Sequence, residues 1–219
     1  MATAASGLPV YWTVADLHDH LGHIPLQRIR LYPPPGTAVL ADVLTVQAQE
    51  DRLCELVDGV LVEKTVGYYE SRLALLIGYF LEDFLEQHDL GIVLGADGML
   101  QLLHDQVRIP DVSFFSWMHF PNRELPSEPI PRLVPDLAVE VLSASNTVQE
   151  MHRKLQEYFA AGTQLVWYVN PEMQRITVYT APEQWLELGI EDVLDGGDVL
   201  PGFQLPIRGL FDRAGRRRR

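Results

Sequence analysis

Two acidic residues lie in apolar segments, where a charge is costly to bury. Glu140 stands in the segment LAVEVL, and Asp111 follows Pro110 in VRIPDVSFF. Two carboxylates on neighbouring strands repel each other unless a cation lies between them, and their hard oxygen atoms suit Mg²⁺ or Mn²⁺. We therefore predict that Asp111 and Glu140 bind a divalent metal ion. The alternative is that these carboxylates cap turns or pair with arginine.

Three further charged residues are catalytic candidates at the same site. Lys154 falls at the edge of an apolar helical stripe, from which its ammonium group reaches either a cleft or solvent. In a cleft it would orient an attacking water or bind a phosphate oxygen. Glu55 lies in CELVDG. Glu70 begins a predicted helix, where an acid also interacts favourably with the helix dipole.

Other chemistries have weaker support in the sequence. Cys54 is the single cysteine, and a buried strand cysteine explains it better than a nucleophile does, because no histidine is predicted beside it. No phosphate-binding glycine loop of the Gly-x-Gly-x-x-Gly or Walker type is present. One group of polar residues fits either a metal site or the solvated side of a short helix. Its members are Asp16, His18, Asp19, His20 and His23.

The elements that must position these residues follow from hydrophobic periodicity and turn signals. The apolar alternation on both sides of Glu140 indicates a central strand that is buried on both faces. Thr147 and Glu150 fit a capping box at the start of a helix. The predicted order is a hairpin over 53–64 around Asp58-Gly59, a helix over 70–88, strands over 92–94 and 99–103 joined at 95–98, strands over 107–117 and 137–142, a helix over 147–161, strands over 165–169 and 176–179, and a loop-rich region from 189.

This order predicts an α/β (mixed α+β) fold with a mixed central sheet flanked by helices. The 219 residues suffice for one domain, and no apolar run reaches the roughly 20 residues that a membrane span needs. One cysteine and no visible secretory signal favour a cytoplasmic protein. A net charge of −13 argues against a protein that coats nucleic acid. A metal-dependent enzyme remains open.

Five segments in this order resemble the Uma2 family, a restriction endonuclease-like bacterial group that is similar to the PD-(D/E)XK nuclease superfamily. They are CELVDGVLVEK, RIPDVSFFSW, PDLAVEVLSASNT, KLQEYFAAGTQLVWYVNP and PGFQL. The resemblance covers roughly residues 50–212. It leaves residues 1–49 as an N-terminal extension and residues 213–219 as a basic C-terminal tail.

The resemblance implies a restriction endonuclease-like core and a role for each candidate. Asp111 and Glu140 match the two metal-binding acids, and Glu55 matches the glutamate of an ELIDG-like family segment. Glu70 lies about where the family often has a histidine. The superfamily lysine normally stands two residues after the second acid, where this chain has Leu142. Lys154 instead matches a lysine that the family carries on the next helix.

The resemblance further implies a metal-dependent endonuclease that hydrolyses phosphodiester bonds of DNA with Mg²⁺ or Mn²⁺. The alternative is a noncatalytic binding or regulatory protein on a nuclease-like scaffold, because a fold does not fix a function. A homodimer is expected, since nucleases that cut both strands are commonly dimers. The run Arg216–Arg219 is either a nucleic-acid contact or a solvated end.

Overall fold

The computed structural model describes residues 12–65 and 67–215, so the run Arg216–Arg219 lies outside the described residues. None of the helices within these ranges is long and apolar enough to cross a membrane. The α-helices are α1 Val14–His20, α2 Leu40–Glu50, α3 Tyr68–His88, α4 Val148–Ala161 and α5 Ile207–Ala214. The β-strands are β1 Cys54–Val57, β2 Val60–Glu63, β3 Gly91–Leu94, β4 Leu100–Leu103, β5 Gln106–Arg108, β6 Val112–Ser116, β7 Leu137–Val141, β8 Leu165–Asn170, β9 Arg175–Ala181, β10 Gln184–Leu188, β11 Val193–Asp195 and β12 Gln204–Pro206.

The strands form one large sheet, one small sheet and a two-stranded ribbon. The large sheet has the order β10-β9-β8-β7-β6-β3, and the small sheet has the order β2-β1-β5-β4. In the large sheet β7 and β8 are parallel, whereas the other neighbouring strands run antiparallel. The predicted mixed sheet flanked by helices is therefore confirmed.

Helices cover both faces of the large sheet. Leu73 of α3 belongs to a core with Trp167 of β8, which α5 also joins. Tyr158 of α4 packs with Val166 on the opposite face. All five residues of β7, including Glu140, are buried as a result. The prediction of a central strand buried on both faces is confirmed, and Glu140 lies inside the molecule.

The β1–β2 hairpin turns where the sequence predicts it. Asp58 and Gly59 both have positive φ angles, 48° and 72°, as a two-residue type I′ turn requires. A Cβ atom on Gly59 would lie 2.6 Å from the carbonyl carbon of Gly36. Glycine therefore serves both the turn conformation and the close approach of the preceding segment.

The predicted strand over 107–117 is wrong, because the chain changes sheets within it. β5 ends at Arg108 in the small sheet, and β6 begins at Val112 in the large sheet. Pro110 lies between them and has no N–H group to continue a strand ladder. The predicted neighbours over 92–94 and 99–103 also separate, since β3 lies at the edge of the large sheet and β4 at the edge of the small one.

The segment before the hairpin packs closely onto the small sheet. Leu17 and Ile24 share a buried cluster with Val62, while Val43 of α2 contacts the cluster around Leu56. The region from 189, predicted as loop-rich, contains β11, β12 and α5. Apolar side chains thus join both ends of the described chain to the two sheets.

The predicted capping box at the start of α4 is half correct. The Thr147 hydroxyl oxygen accepts a hydrogen bond from the Glu150 N–H at 3.1 Å. The Glu150 carboxylate, however, accepts two hydrogen bonds from the buried Arg28 guanidinium, at 2.7 and 3.0 Å. This long-range ion pair joins the segment before the hairpin to α4, and it replaces the local bond that the sequence pattern predicts.

We expect Arg28→Met to lower the free energy of unfolding by about 3–5 kcal/mol, because it leaves the buried Glu150 carboxylate without its cation. Urea denaturation measures the change. Arg208→Met is the matched control, since Arg208 pairs with Glu191 at the surface and such a pair contributes at most about 1 kcal/mol. The double variant Arg28→Met/Glu150→Leu should recover much of the loss. Equal stability of the wild type and Arg28→Met would contradict this account.

Candidate active site

One pocket is lined by all five predicted site residues. The cavity has a volume of about 30 Å³, which gives room for about two water molecules. It lies where the chain crosses from the small sheet into the large one. The five residues of this carboxylate pocket are Glu55 from β1, Glu70 from the first turn of α3, Asp111 just before β6, Glu140 from β7 and Lys154 from α4.

Asp111 and Glu140 come from neighbouring antiparallel strands. The Asp111 N–H donates to the Val139 carbonyl at 3.0 Å, and the Val141 N–H donates to Asp111 Oδ2 at 2.7 Å. Burial raises the pKa of Glu140, and the negative charge of Asp111 raises it further against the opposing charge of Lys154. The carboxylates are therefore close enough to repel each other, and their oxygen donors fit a divalent cation.

Lys154 points into the pocket and not towards solvent. Its Nζ atom lies 2.9 Å from Glu55 Oε1 and 3.3 Å from Glu140 Oε1. The Tyr158 hydroxyl donates to the same Glu140 oxygen at 2.7 Å. Burial alone would lower the pKa of Lys154, but Glu140 and Glu55 raise it above its ordinary value. Lys154 is therefore a fixed positive charge at neutral pH and a poor general base.

Glu55 is held between two buried cations. Arg108 Nη1 donates to Glu55 Oε2 at 2.8 Å, while Lys154 contacts the other carboxylate oxygen. Burial raises the pKa of Glu55, but the charges of Lys154 and Arg108 outweigh this effect and lower it to about 2. Both oxygens have charged partners, so this geometry suits Glu55 to positioning Lys154 better than to binding a metal.

The sequence reasoning missed two cations of this site. Arg108 is fully surrounded by protein, and Lys64 Nζ lies 2.9 Å from Asp111 Oδ1 and 2.6 Å from the Ile109 carbonyl oxygen. A charge inside the apolar segment VRIP is the same signal that singled out Glu140, so the sequence also indicates Arg108 as a buried charged residue. Lys64 follows a strand in an irregular segment and has no comparable signal.

A chain of alternating charges connects the pocket to the surface. Arg108 Nε donates to Glu157 Oε2 at 2.7 Å, and Glu157 Oε1 accepts from Arg153 Nε at 2.8 Å. Arg153 pairs in turn with Asp58 in the hairpin turn, and Asp58 also contacts His20. These contacts fix α4 against β5 and the β1–β2 hairpin, and hence fix the direction in which Lys154 points.

Glu70 lies at the third position of α3 and is buried. Its carboxylate folds back over the residue before the helix, since a Cβ atom on Gly67 would lie only 2.0 Å from Glu70 Oε2. An acid at this position stabilises the helix start. The same carboxylate lines the carboxylate pocket, and its catalytic role stays a prediction.

The remaining candidates lie outside this pocket. Burial raises the pKa of the Cys54 thiol to about 11, so this buried thiol is neutral at physiological pH and a poor nucleophile. In the described residues, one group of three side chains brings possible metal-ligand atoms within 4.8 Å of one another, and it consists of His18, Asp19 and His23. His23 Nδ1 lies 3.3 Å from Asp19 Oδ1.

Comparisons with known proteins agree with this architecture. The sequence model of the Uma2 family, described as "Putative restriction endonuclease", matches residues 40–208 and so begins before the boundary predicted at residue 50. A solved structure from Anabaena variabilis ATCC 29413, described as "a putative nuclease belonging to DUF820", is similar to this chain with a TM-score of 0.66. The two chains are 18% identical, and the similarity covers 75% of this chain and 92% of that one. No curated protein matches.

We expect Arg108→Met to lower the free energy of unfolding by about 3–5 kcal/mol, because the change leaves Glu55 and Glu157 with one cation fewer in a buried site. Chemical denaturation provides the measurement. Arg175→Met is the control, as Arg175 pairs with Glu187 on an exposed strand, and we expect a loss below about 1 kcal/mol. A similar loss in the two variants would mean that the buried network contributes no more than a surface pair.

The stability of the protein should depend on pH through Glu140. The raised pKa of Glu140 means that the folded protein binds this proton more tightly than the unfolded chain does. Its contribution to stability is therefore present below the ordinary glutamate pKa of 4.5 and is lost as the pH rises through the folded value. We expect Glu140→Gln to be more stable than the wild type at about pH 7.5 in EDTA, with the difference shrinking towards about pH 4. Thermal unfolding at both pH values measures it. A pH-independent difference would contradict the assignment.

Proposed function

The chain belongs to the Uma2 family of restriction endonuclease-like proteins, and on this premise we propose that it is a metal-dependent endonuclease that hydrolyses phosphodiester bonds of DNA. The observation that carries the proposal is that Asp111, just before β6, and Glu140, on the adjacent strand β7, line one pocket together with the charged Lys154. The description of the similar solved structure as "a putative nuclease" supports the same class of reaction.

Asp111 and Glu140 are the residues that would hold Mg²⁺ or Mn²⁺. Lys64 now neutralises Asp111, and its flexible stem allows the ammonium group to give way to a cation. A bound divalent ion would neutralise charge on the scissile phosphate and lower the pKa of the attacking water. A cation here also fits the electrostatics, because it would offset the burial and the repulsion from Asp111 that together raise the pKa of Glu140.

Lys154 supplies a positive charge at a fixed place in this mechanism. Glu55 holds one side of the ammonium group and Glu140 the other, so the charge does not have to be reoriented during the reaction. Because its pKa is raised, Lys154 keeps its proton and acts on the negative charge that develops on the phosphate oxygens. The Tyr158 hydroxyl also holds the Glu140 carboxylate, because it donates to the oxygen that Lys154 contacts.

A noncatalytic protein on the same scaffold is the second candidate. Two observations favour it: the net charge is −13, which repels a phosphate backbone, and both Glu55 oxygens already have buried cationic partners. On this alternative the carboxylate pocket is an internal ion-pair cluster that fixes the two sheets, and it neither binds metal nor cleaves DNA.

The test combines metal binding with cleavage. We expect isothermal titration to detect saturable Mn²⁺ or Mg²⁺ binding to the wild type and none to Asp111→Asn/Glu140→Gln. DNA cleavage should fall by at least about a hundredfold in Asp111→Asn and in Glu140→Gln, because each removes a carboxylate that would hold the metal ion. It should fall as far in Lys154→Met, which removes the positive charge that stabilises the transition state.

Asp105→Asn is the control, since Asp105 is an exposed acid in the turn between β4 and β5. It should retain both metal binding and cleavage. If the wild type neither binds a divalent ion in the presence of DNA nor cleaves single-stranded or duplex DNA, the nuclease proposal fails and the noncatalytic alternative stands.

A further inference from the structure

A second and larger cavity opens beside the carboxylate pocket. Its volume is about 550 Å³, which is within the range of small-molecule binding sites. It lies between the first turns of α4 and the β9–β10 hairpin. The two cavities share Glu70, Ser143 and Asn146 as wall residues, so they are adjacent.

Three aromatic side chains form a row along this cavity, which we call the aromatic groove: Tyr168, Tyr179 and Trp185. Tyr168 pairs with Glu140 in the β7–β8 register, and its ring lies 5.2 Å from that of Tyr179 on β9. Tyr179 is in turn the register partner of Trp185 on β10, so both side chains project from the same face. The row therefore begins beside the predicted metal ligand Glu140 and crosses three strands, β8, β9 and β10, over about 10 Å.

The exposure of the row fits a ligand site better than a core. Trp185 is 62% exposed, although it is the largest side-chain type, and Tyr179 is half-buried. Tyr168 is buried and donates its hydroxyl hydrogen bond to the Met151 carbonyl at 2.6 Å, which fixes its ring. The inner end of the row is thus rigid and the outer end is open to a planar partner.

The charge of the groove restricts what that partner can be. No lysine or arginine is present among the described residues that line it, whereas Glu70, Glu172 and Glu183 are. These acids repel a phosphate chain, but their oxygens accept hydrogen bonds from the amino groups of nucleobases. Aromatic faces stack on any base. The groove therefore suits bases and not the backbone.

We propose that the aromatic groove binds unpaired bases of a single-stranded nucleic acid whose scissile phosphate lies at the edge of the carboxylate pocket, beside Asp111. The proposal rests on the nuclease function and names the substrate form that it acts on. A base reaches Tyr179 and Trp185 only when it is released from its complementary strand. Base stacking then compensates for the repulsion between an acidic protein and the phosphates.

The test is direct binding without cleavage. A fluorescein-labelled DNA strand of about twelve nucleotides, alone or annealed to its complement, is titrated with the protein in EDTA, and fluorescence anisotropy reports binding. We expect the single strand to bind at least about tenfold more tightly than the duplex. Trp185→Ala should weaken single-strand binding at least about fivefold, and Trp185→Phe should retain most of the affinity.

Leu186→Ala is the matched control. Leu186 is the next residue of β10 and is 60% exposed, but alternation along the strand directs its side chain to the opposite face. Its variant should bind like the wild type. Equal affinity for single strand and duplex, or an unchanged affinity in Trp185→Ala, would overturn the proposal. So would a wild-type dimer that Trp185→Ala converts to monomer in sedimentation, because a second copy would then occupy the groove.

The result separates this inference from the nuclease function. Glu140→Gln leaves the aromatic row intact, so it should bind the single strand without cleaving it. Binding of the single strand by a wild type that cleaves no DNA would remove the nuclease proposal and retain a single-strand-binding groove. Cleavage of DNA by a protein that prefers duplex would remove the groove proposal alone.

Discussion

The interaction on which the structure depends is the buried charge cluster centred on Lys154 and Arg108. Each ammonium, guanidinium and carboxylate group there loses its hydration, and only the opposite charges around it repay that loss. Glu55 contacts both cations, and Glu140 and Glu157 each complete one pairing. Because the partners come from both sheets and from α4, these elements have one relative arrangement in which every charge is paired.

The same cluster gives two glutamates of one pocket opposite properties. Glu55 faces two cations, and its pKa falls to about 2, so it is always ionised. Burial raises the pKa of Glu140, and the charge of Asp111 raises it further against the opposing charge of Lys154. A pocket that keeps one carboxylate ionised and disfavours the charge of the other is suited to recruiting a cation.

The distribution of charge also connects the two cavities. Cations gather at the carboxylate pocket, where Lys64 and Lys154 lie, whereas the aromatic groove has acids and rings. A protein with a net charge of −13 gains little from long-range attraction to a polyanion. On the proposed function, stacking along the Tyr168–Trp185 row and charge pairing at one phosphate would therefore provide the affinity.

The sequence by itself determined several elements and which residues are candidates for a site. Alternation and turn residues predicted the hairpin at Asp58-Gly59 and the buried strand around Glu140, and charges in apolar segments singled out Asp111 and Glu140 as candidate metal ligands. Only the tertiary structure decided how these parts combine. It separated the predicted strand at Pro110 into two sheets and paired Arg28 with Glu150, 122 residues away. The reason is that periodicity records which face of an element is buried, whereas strand partners and ion pairs depend on residues that are distant in the chain.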